Sequence, residues 1–143
     1  HPLAHRKKLK LSDLSNESWI LRERGSGTRQ VFEAALRHQL TNLKVLLELE
    51  HTEAIKRAVE SGLGIGCISR LALKDAFKRG SLVPLEIAGL DLKRQFNFVL
   101  HKQKFMTTGI HKFLELCRDA TQGVSRSDLI VLRKPDGAPV EYR

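Results

Sequence analysis

The chain has 143 residues, 41% of them hydrophobic, and a formal net charge of +9. That length suffices for one ordinary domain, or one full lobe and part of another, and no stretch approaches the roughly 20 apolar residues of a bilayer span, which excludes a membrane helix and argues for a soluble protein. The positive charge favours an acidic partner, whether nucleic acid, a membrane surface or an anionic ligand, while Cys67 and Cys117 lack paired spacing and read as reduced core residues of a cytoplasmic protein.

The opening Ala4-His5-Arg6-Lys7-Lys8-Leu9-Lys10 has no apolar run behind its charges, so it is not a secretory signal, and the start at His1 is expected to be a cut in a longer protein. Residues 9–14 read as a short lead-in. Trp19, Ile20 and Leu21 predict a buried strand over 18–21, and Gly25-Ser26-Gly27-Thr28-Arg29 then opens a helix with Val31, Phe32, Ala35 and Leu36 at helical spacing. Residues 43–49 predict a second strand. His51-Thr52-Glu53 is a polar helix start, Ala54, Ile55, Ala58 and Val59 mark the helix, and Gly62 suits its left-handed end. A third strand is predicted over 63–69, interrupted by Gly64 and Gly66, and a helix over 71–79 that Gly80 closes. Further strands are predicted over 82–87, where Pro84 suggests an edge, and over 94–101. A last helix carries Ile110, Phe113, Leu114 and Cys117 on one face, and 123–143 read as a tail with one apolar run at 129–132. Strand and helix alternate, which predicts an α/β fold with a parallel sheet.

The glycines at 25 and 27 let the backbone turn sharply, and the first free amides of the helix, with the hydroxyls of Ser26 and Thr28, suit a small anion. The alternative is an N-cap at Ser26 with glycines that serve only the turn. The loop lacks the Gly-Lys-Ser/Thr of a phosphate loop and the third glycine of a dinucleotide fingerprint, so nucleotide chemistry is not expected. Thr52 and Glu53 open a second helix at a strand end; a cap and a favourable dipole charge are their structural readings, a ligand role their functional one. His51 stands beside them. No serine sits in a nucleophile elbow, Cys67 has apolar neighbours, and the histidines show no zinc spacing, so neither catalysis, a metal nor a cofactor is expected. Arg6-Lys7-Lys8 has no interleaved aromatics and reads as a solvated face, and no helix-turn-helix pattern is present.

Taken in order, His1-Pro2-Leu3-Ala4, Ile20-Leu21-Arg22-Glu23, Gly25-Ser26-Gly27-Thr28-Arg29, Thr52-Glu53-Ala54-Ile55 and Gly62-Leu63-Gly64-Ile65-Gly66 resemble the regulatory domain of LysR-type transcription regulators, and Phe96 to Leu100 with Phe113-Leu114 looks like that family's closing segment. The resemblance implies a type 2 periplasmic-binding-protein-like α/β fold, here one complete lobe (about 5–93) plus the returning part of another (about 94–122), with 123–143 outside it. It implies a small effector, an anion or small metabolite, in an interlobe cleft, a dimer or tetramer as working state, and DNA binding only through an N-terminal domain absent from this sequence. The family's cleft positions carry over onto Ser26, Thr28, Thr52 and Glu53, with Arg22, Arg29 and His51 as further candidates. Within the family the sequence looks closest to the branch of sulfur-assimilation regulators. A solute-binding protein of the same fold is the alternative, and it would need a signal peptide and an entire first lobe; an enzyme on this fold would need a reactive residue at the cleft. Phe96, Phe98, Val99, Phe113 and Leu114 would belong to the incomplete lobe and are expected to lack their native cover.

Overall fold

A computed structural model describes residues 1–36, 43–94 and 97–125. The chain divides into two compact units, His1–Gln95 and Phe96–Arg143. The first holds strands β1 (Ser18–Arg22), β2 (Lys44–Leu49) and β3 (Ile65–Gly66) and helices α1 (Gly27–Leu36), α2 (Thr52–Glu60) and α3 (Lys74–Arg79); the second holds helix α4 (Thr108–Thr121).

The three strands run parallel in the order β2-β1-β3, so β1 is central. Trp19, Ile20 and Leu21 are all buried, as expected of a parallel strand covered on both faces. Trp19 and Leu21 join Phe32 and Leu36 of α1 in one apolar cluster, while Ile20 belongs to the opposite face, where Ile55 of α2 is fully buried. Helices cover both faces of the sheet. The residues before β1 contribute more than their length suggests: Leu3, and Leu9, Leu11 and Leu14 of the lead-in, are all buried in the cluster of Trp19 and Phe32.

Helix ends follow the sequence. At the end of α2 the Gly62 amide donates to Val59 O at 2.9 Å and the Leu63 amide to Ala58 O at 3.2 Å, with Gly62 at φ +79°, a paired closure that satisfies two terminal carbonyls. Gly80 caps α3 in the same left-handed region. The helix predicted over 71–79 is split, a 3-10 turn at Arg70–Leu73 running into α3.

Two predicted strands do not form as such among the described residues. In place of a strand over 82–87 the structure has one isolated parallel bridge, Leu9 to Ile87, supported by the Ala88 amide on Leu9 O at 3.0 Å. The described residues of 94–101 make no ladder; Gln95 and Phe96 lie outside the described residues. In the second unit, Phe98 and Phe113 meet edge to face at 6.1 Å, yet they and Val99 are exposed, while Leu114 is half-buried. The apolar run expected at 129–132 lies outside the described residues. No described helix is long and apolar enough to cross a membrane.

Candidate functional site

β1 and β2 are parallel neighbours, with Arg22 opposite Leu49 at their carboxyl ends. From each strand the chain turns within a few residues into a helix, α1 at Gly27 and α2 at Thr52. The amino ends of both helices, with their unpaired amides and positive dipole ends, therefore stand at the same edge of the sheet, where open α/β sheets receive ligands. Ser26 precedes α1, is buried at 8% exposure, and its carbonyl accepts the Gln30 amide at 2.9 Å as the first bond of the helix. Thr28 is half-buried in the first turn of α1.

The two arginines named from the sequence are held by carboxylates. Arg22 donates Nε and Nη2 to the two oxygens of Glu23 at 2.7 and 2.8 Å. That fork holds the Glu23 carboxyl below its usual range, with His51 adding a smaller push in the same direction. Arg29 is 5% exposed; it donates Nε to Glu33 at 2.7 Å, and Nη1 to the Arg22 carbonyl at 2.9 Å and to the Glu48 carboxylate. It ties the first turn of α1 to the ends of β1 and β2. The same contact holds the Glu48 carboxyl below its usual range, helped by the Arg24 amide.

At α2 the cap position belongs to His51, which is exposed and makes no side-chain cap bond, so Thr52 is the first helical residue and not the cap. Glu53 points largely to solvent and is held below its ordinary range mainly by Lys56, whose Nζ is 2.6 Å away. The carboxylate is thus partly neutralised by its own helix.

The sequence did not single out Arg94 for this edge. Its Nη1 donates to Thr28 Oγ1 at 3.2 Å and lies 3.8 Å from where a Cβ on Gly27 would stand. Cys67 follows β3 directly. Burial pushes its thiol up to about 11, with the charge of Arg94 a smaller opposing influence. Raised from the ordinary 9.0 to about 11, the thiol is about 100-fold less ionised at pH 8, and the greater nucleophilicity of a more basic thiolate returns about tenfold of that. Alkylation of Cys67 by iodoacetamide at pH 8 is therefore expected to run at least ~10-fold slower in the folded chain than in urea, followed by peptide mass spectrometry. Equal rates would contradict the burial. The same shift makes Cys67 stabilising at pH 9 and below, a contribution lost as pH rises through about 11.

Comparison with known proteins places this geometry in a family context. The family model described as the LysR substrate binding domain matches residues 1–122. The chain is 39% identical over 119 residues to the uncharacterized HTH-type transcriptional regulator YeiE of Escherichia coli K12, covering 83% of this chain and 40% of that protein. It is 36% identical over 115 residues to the HTH-type transcriptional activator CmpR of Synechocystis sp. PCC 6803, covering 80% of this chain and 38% of that protein. The chain thus spans about 40% of the length of these relatives. Among solved structures it resembles the Synechocystis PCC6803 CcmR regulatory domain in complex with 2-PG, with a TM-score of 0.75 and 32% identity over 87% of this chain and 60% of that one.

Proposed function

The chain belongs to the LysR substrate-binding domain family, and from that premise we propose that it is the effector-sensing part of a transcription regulator, taking a small anionic ligand at the carboxyl ends of β1 and β2. The observation that carries the reading is the pair of helix starts at Gly27 and Thr52 on adjacent parallel strands. Amides and hydroxyls at those starts offer hydrogen-bond donors without a buried countercharge, which suits a small anion. The 2-PG complex of the CcmR regulatory domain supports a small molecule as effector.

Ser26 and Thr28 are the principal contacts, with the Thr52 hydroxyl and the α2 amides on the opposite side, and His51 and Glu53 at the rim. Arg22 and Arg29 act through position: their ion pairs fix the turn between β1 and α1 on which Ser26 and Thr28 stand. The segment from about 5 to 93 is the second lobe of the family's domain and the segment from about 94 to 122 the returning part of the first, a reading supported by the boundary between the two units near Gln95. The protein senses and does not catalyse: its relatives are transcription regulators, and Cys67 is kept as a neutral thiol. DNA is reached through a separate N-terminal domain of the full-length cytoplasmic protein. Self-association is supported by β2, a sheet edge on which Val45 and Leu46 are 39% and 46% exposed.

Thermal-shift titration of the 143-residue chain with small oxyanions and with 2-PG tests the reading. A ligand at about 100 times its Kd adds roughly 2.7 kcal/mol and raises the melting temperature by several degrees. Ser26→Ala combined with Thr28→Val is expected to weaken that ligand at least ~10-fold. Ligands that are only neutral or cationic, or an unchanged affinity in the double variant, would overturn the anion site, and turnover of a bound compound would overturn the sensor.

A further inference from the structure

Helix α4 buries none of its fourteen residues. A helix of that length is marginal in water by itself and takes its stability from packing an apolar face. α4 carries such a face: Phe113, Leu116 and Ala120 recur at helical spacing. Phe113 and Leu116 are each 56% exposed, and Phe98, at 61%, stands edge to face on Phe113. At the carboxyl end of the helix the Val124 amide donates to Thr121 O at 3.1 Å, with Gln122 at φ −62°, ψ 124° and Gly123 at φ +72°. These are the marks of a type II turn, which reverses the chain where α4 stops. Beyond the turn stands Leu129-Ile130-Val131-Leu132, the longest unbroken apolar run in the sequence, with Asp128 before it and Arg133 and Lys134 after it.

We propose that residues 129–132 of the chain's own carboxyl-terminal segment dock on this face of α4 and cover Phe98, Phe113 and Leu116. The lengths agree. From Phe113 to Ala120 the stripe runs about 10 Å along the helix axis, and four residues of extended chain span about the same. Phe113 lies about 12 Å along the axis from Thr121, while an extended chain carries Leu132 up to about 23 Å from Ser125, so the run reaches the whole stripe. Charged residues at both ends confine the apolar stretch to that length. The contact is independent of the effector edge. One half of it, α4, lies within the residues that the family model matches, and the other half lies beyond residue 122, where that match ends.

The test is cross-linking in the 143-residue chain, with the half-buried Cys117 of α4 as the native partner. Ile130→Cys and, for comparison, Glu141→Cys are oxidised with diamide in dilute solution, and the disulfides are located by peptide mass spectrometry. Docking is expected to join position 130 to Cys117 within one chain at least ~10-fold faster than position 141, whereas loop length alone favours 130 by only about 2–3-fold. A ratio no larger than that overturns the docking. So does a disulfide between two chains whose rate rises with concentration, which would make a second copy the occupant. Amide exchange gives a readout without added cysteines. Ile130→Asp with Val131→Asp puts one charge on each side of an extended run, and protection of the α4 amides should fall at least ~10-fold, as for one aliphatic side chain left unburied. The β1 amides should keep theirs, which shows that the first unit is still folded. Unchanged protection of α4 in that variant overturns the proposal.

Discussion

Gly64→Ala is expected to destabilise the first unit by about 3 kcal/mol or more, a range reached when a substitution forces a steric conflict that the fold cannot relieve locally. A Cβ on Gly64 would stand 2.2 Å from the backbone oxygen of Ser18 and 3.0 Å from its carbonyl carbon. The obstacle is backbone, not the far end of a side chain, so no rotamer change removes it. Relief requires β3 to move off β1, which breaks the parallel pairing of Trp19 with Ile65 and of Ile20 with Gly66. The measurement is urea unfolding followed by the fluorescence of Trp19, the single tryptophan of the chain. Gly62→Ala is the internal comparison: it also meets a left-handed backbone, φ +79°, but a Cβ there has nothing within 4 Å. Its cost should be only about 1–2 kcal/mol, that of a left-handed non-glycine residue. Equal costs at 62 and 64 would mean that β1 and β3 are not packed as closely as the structure has them.

The elements that could be read from the sequence are those whose pattern is local. Trp19-Ile20-Leu21 announces a strand buried on two faces, and Phe32 and Leu36 one turn apart announce the buried side of α1. The residues at 82–87 carry apolar side chains as a strand would, but pairing needs a partner, and among the described residues only Leu9 is aligned to bridge Ile87. Pro84 also removes one donor from any ladder. The candidate site divides along the same line. The placement of Ser26, Thr28 and Thr52 at helix starts was legible because a hydroxyl beside a strand-to-helix turn is a local pattern, while the choice between a capping and a ligand role is not written in it. The fate of Arg29 was half legible: Glu33, four residues on, follows from helix geometry, whereas Glu48 comes from the neighbouring strand and depends on the sheet order. Arg94, 66 residues from its partner Thr28, carried no local signal at all. Charge placement at this edge is a tertiary property, so the sequence offers Arg22 and Arg29 as candidates without the Glu48 contact that the sheet order brings to Arg29.

Phe32→Ala is expected to cost ~3–5 kcal/mol, the range for removing a fully buried aromatic ring, which is a large share of the roughly 5–15 kcal/mol that holds a domain folded. Phe32 is 1% exposed and its ring centroid lies 4.7 Å from that of Trp19, at an interplanar angle of 49°. The loss is therefore both buried area and a ring contact worth ~0.5–1.5 kcal/mol. What makes the site diagnostic is the indole: Trp19 Nε1 is buried without a hydrogen-bond partner among the described residues. A void opened beside an apolar wall stays dry, but one opened beside an unsatisfied N–H offers water a partner. Water entering the space of the lost ring would hydrogen-bond Nε1, shift the emission of Trp19 to the red, and hold the cost near the lower end of the range. Phe32→Leu keeps most of the volume, should cost less than about 2 kcal/mol, and should leave the emission in place. A double-mutant cycle with Trp19→Phe, which removes the orphaned donor while keeping a ring, separates the two contributions. A loss below about 1 kcal/mol for Phe32→Ala would show that α1 does not pack on β1 through this pair. A full loss without a red shift would show that the void stays dry and that the indole donor is out of water's reach even with the ring removed.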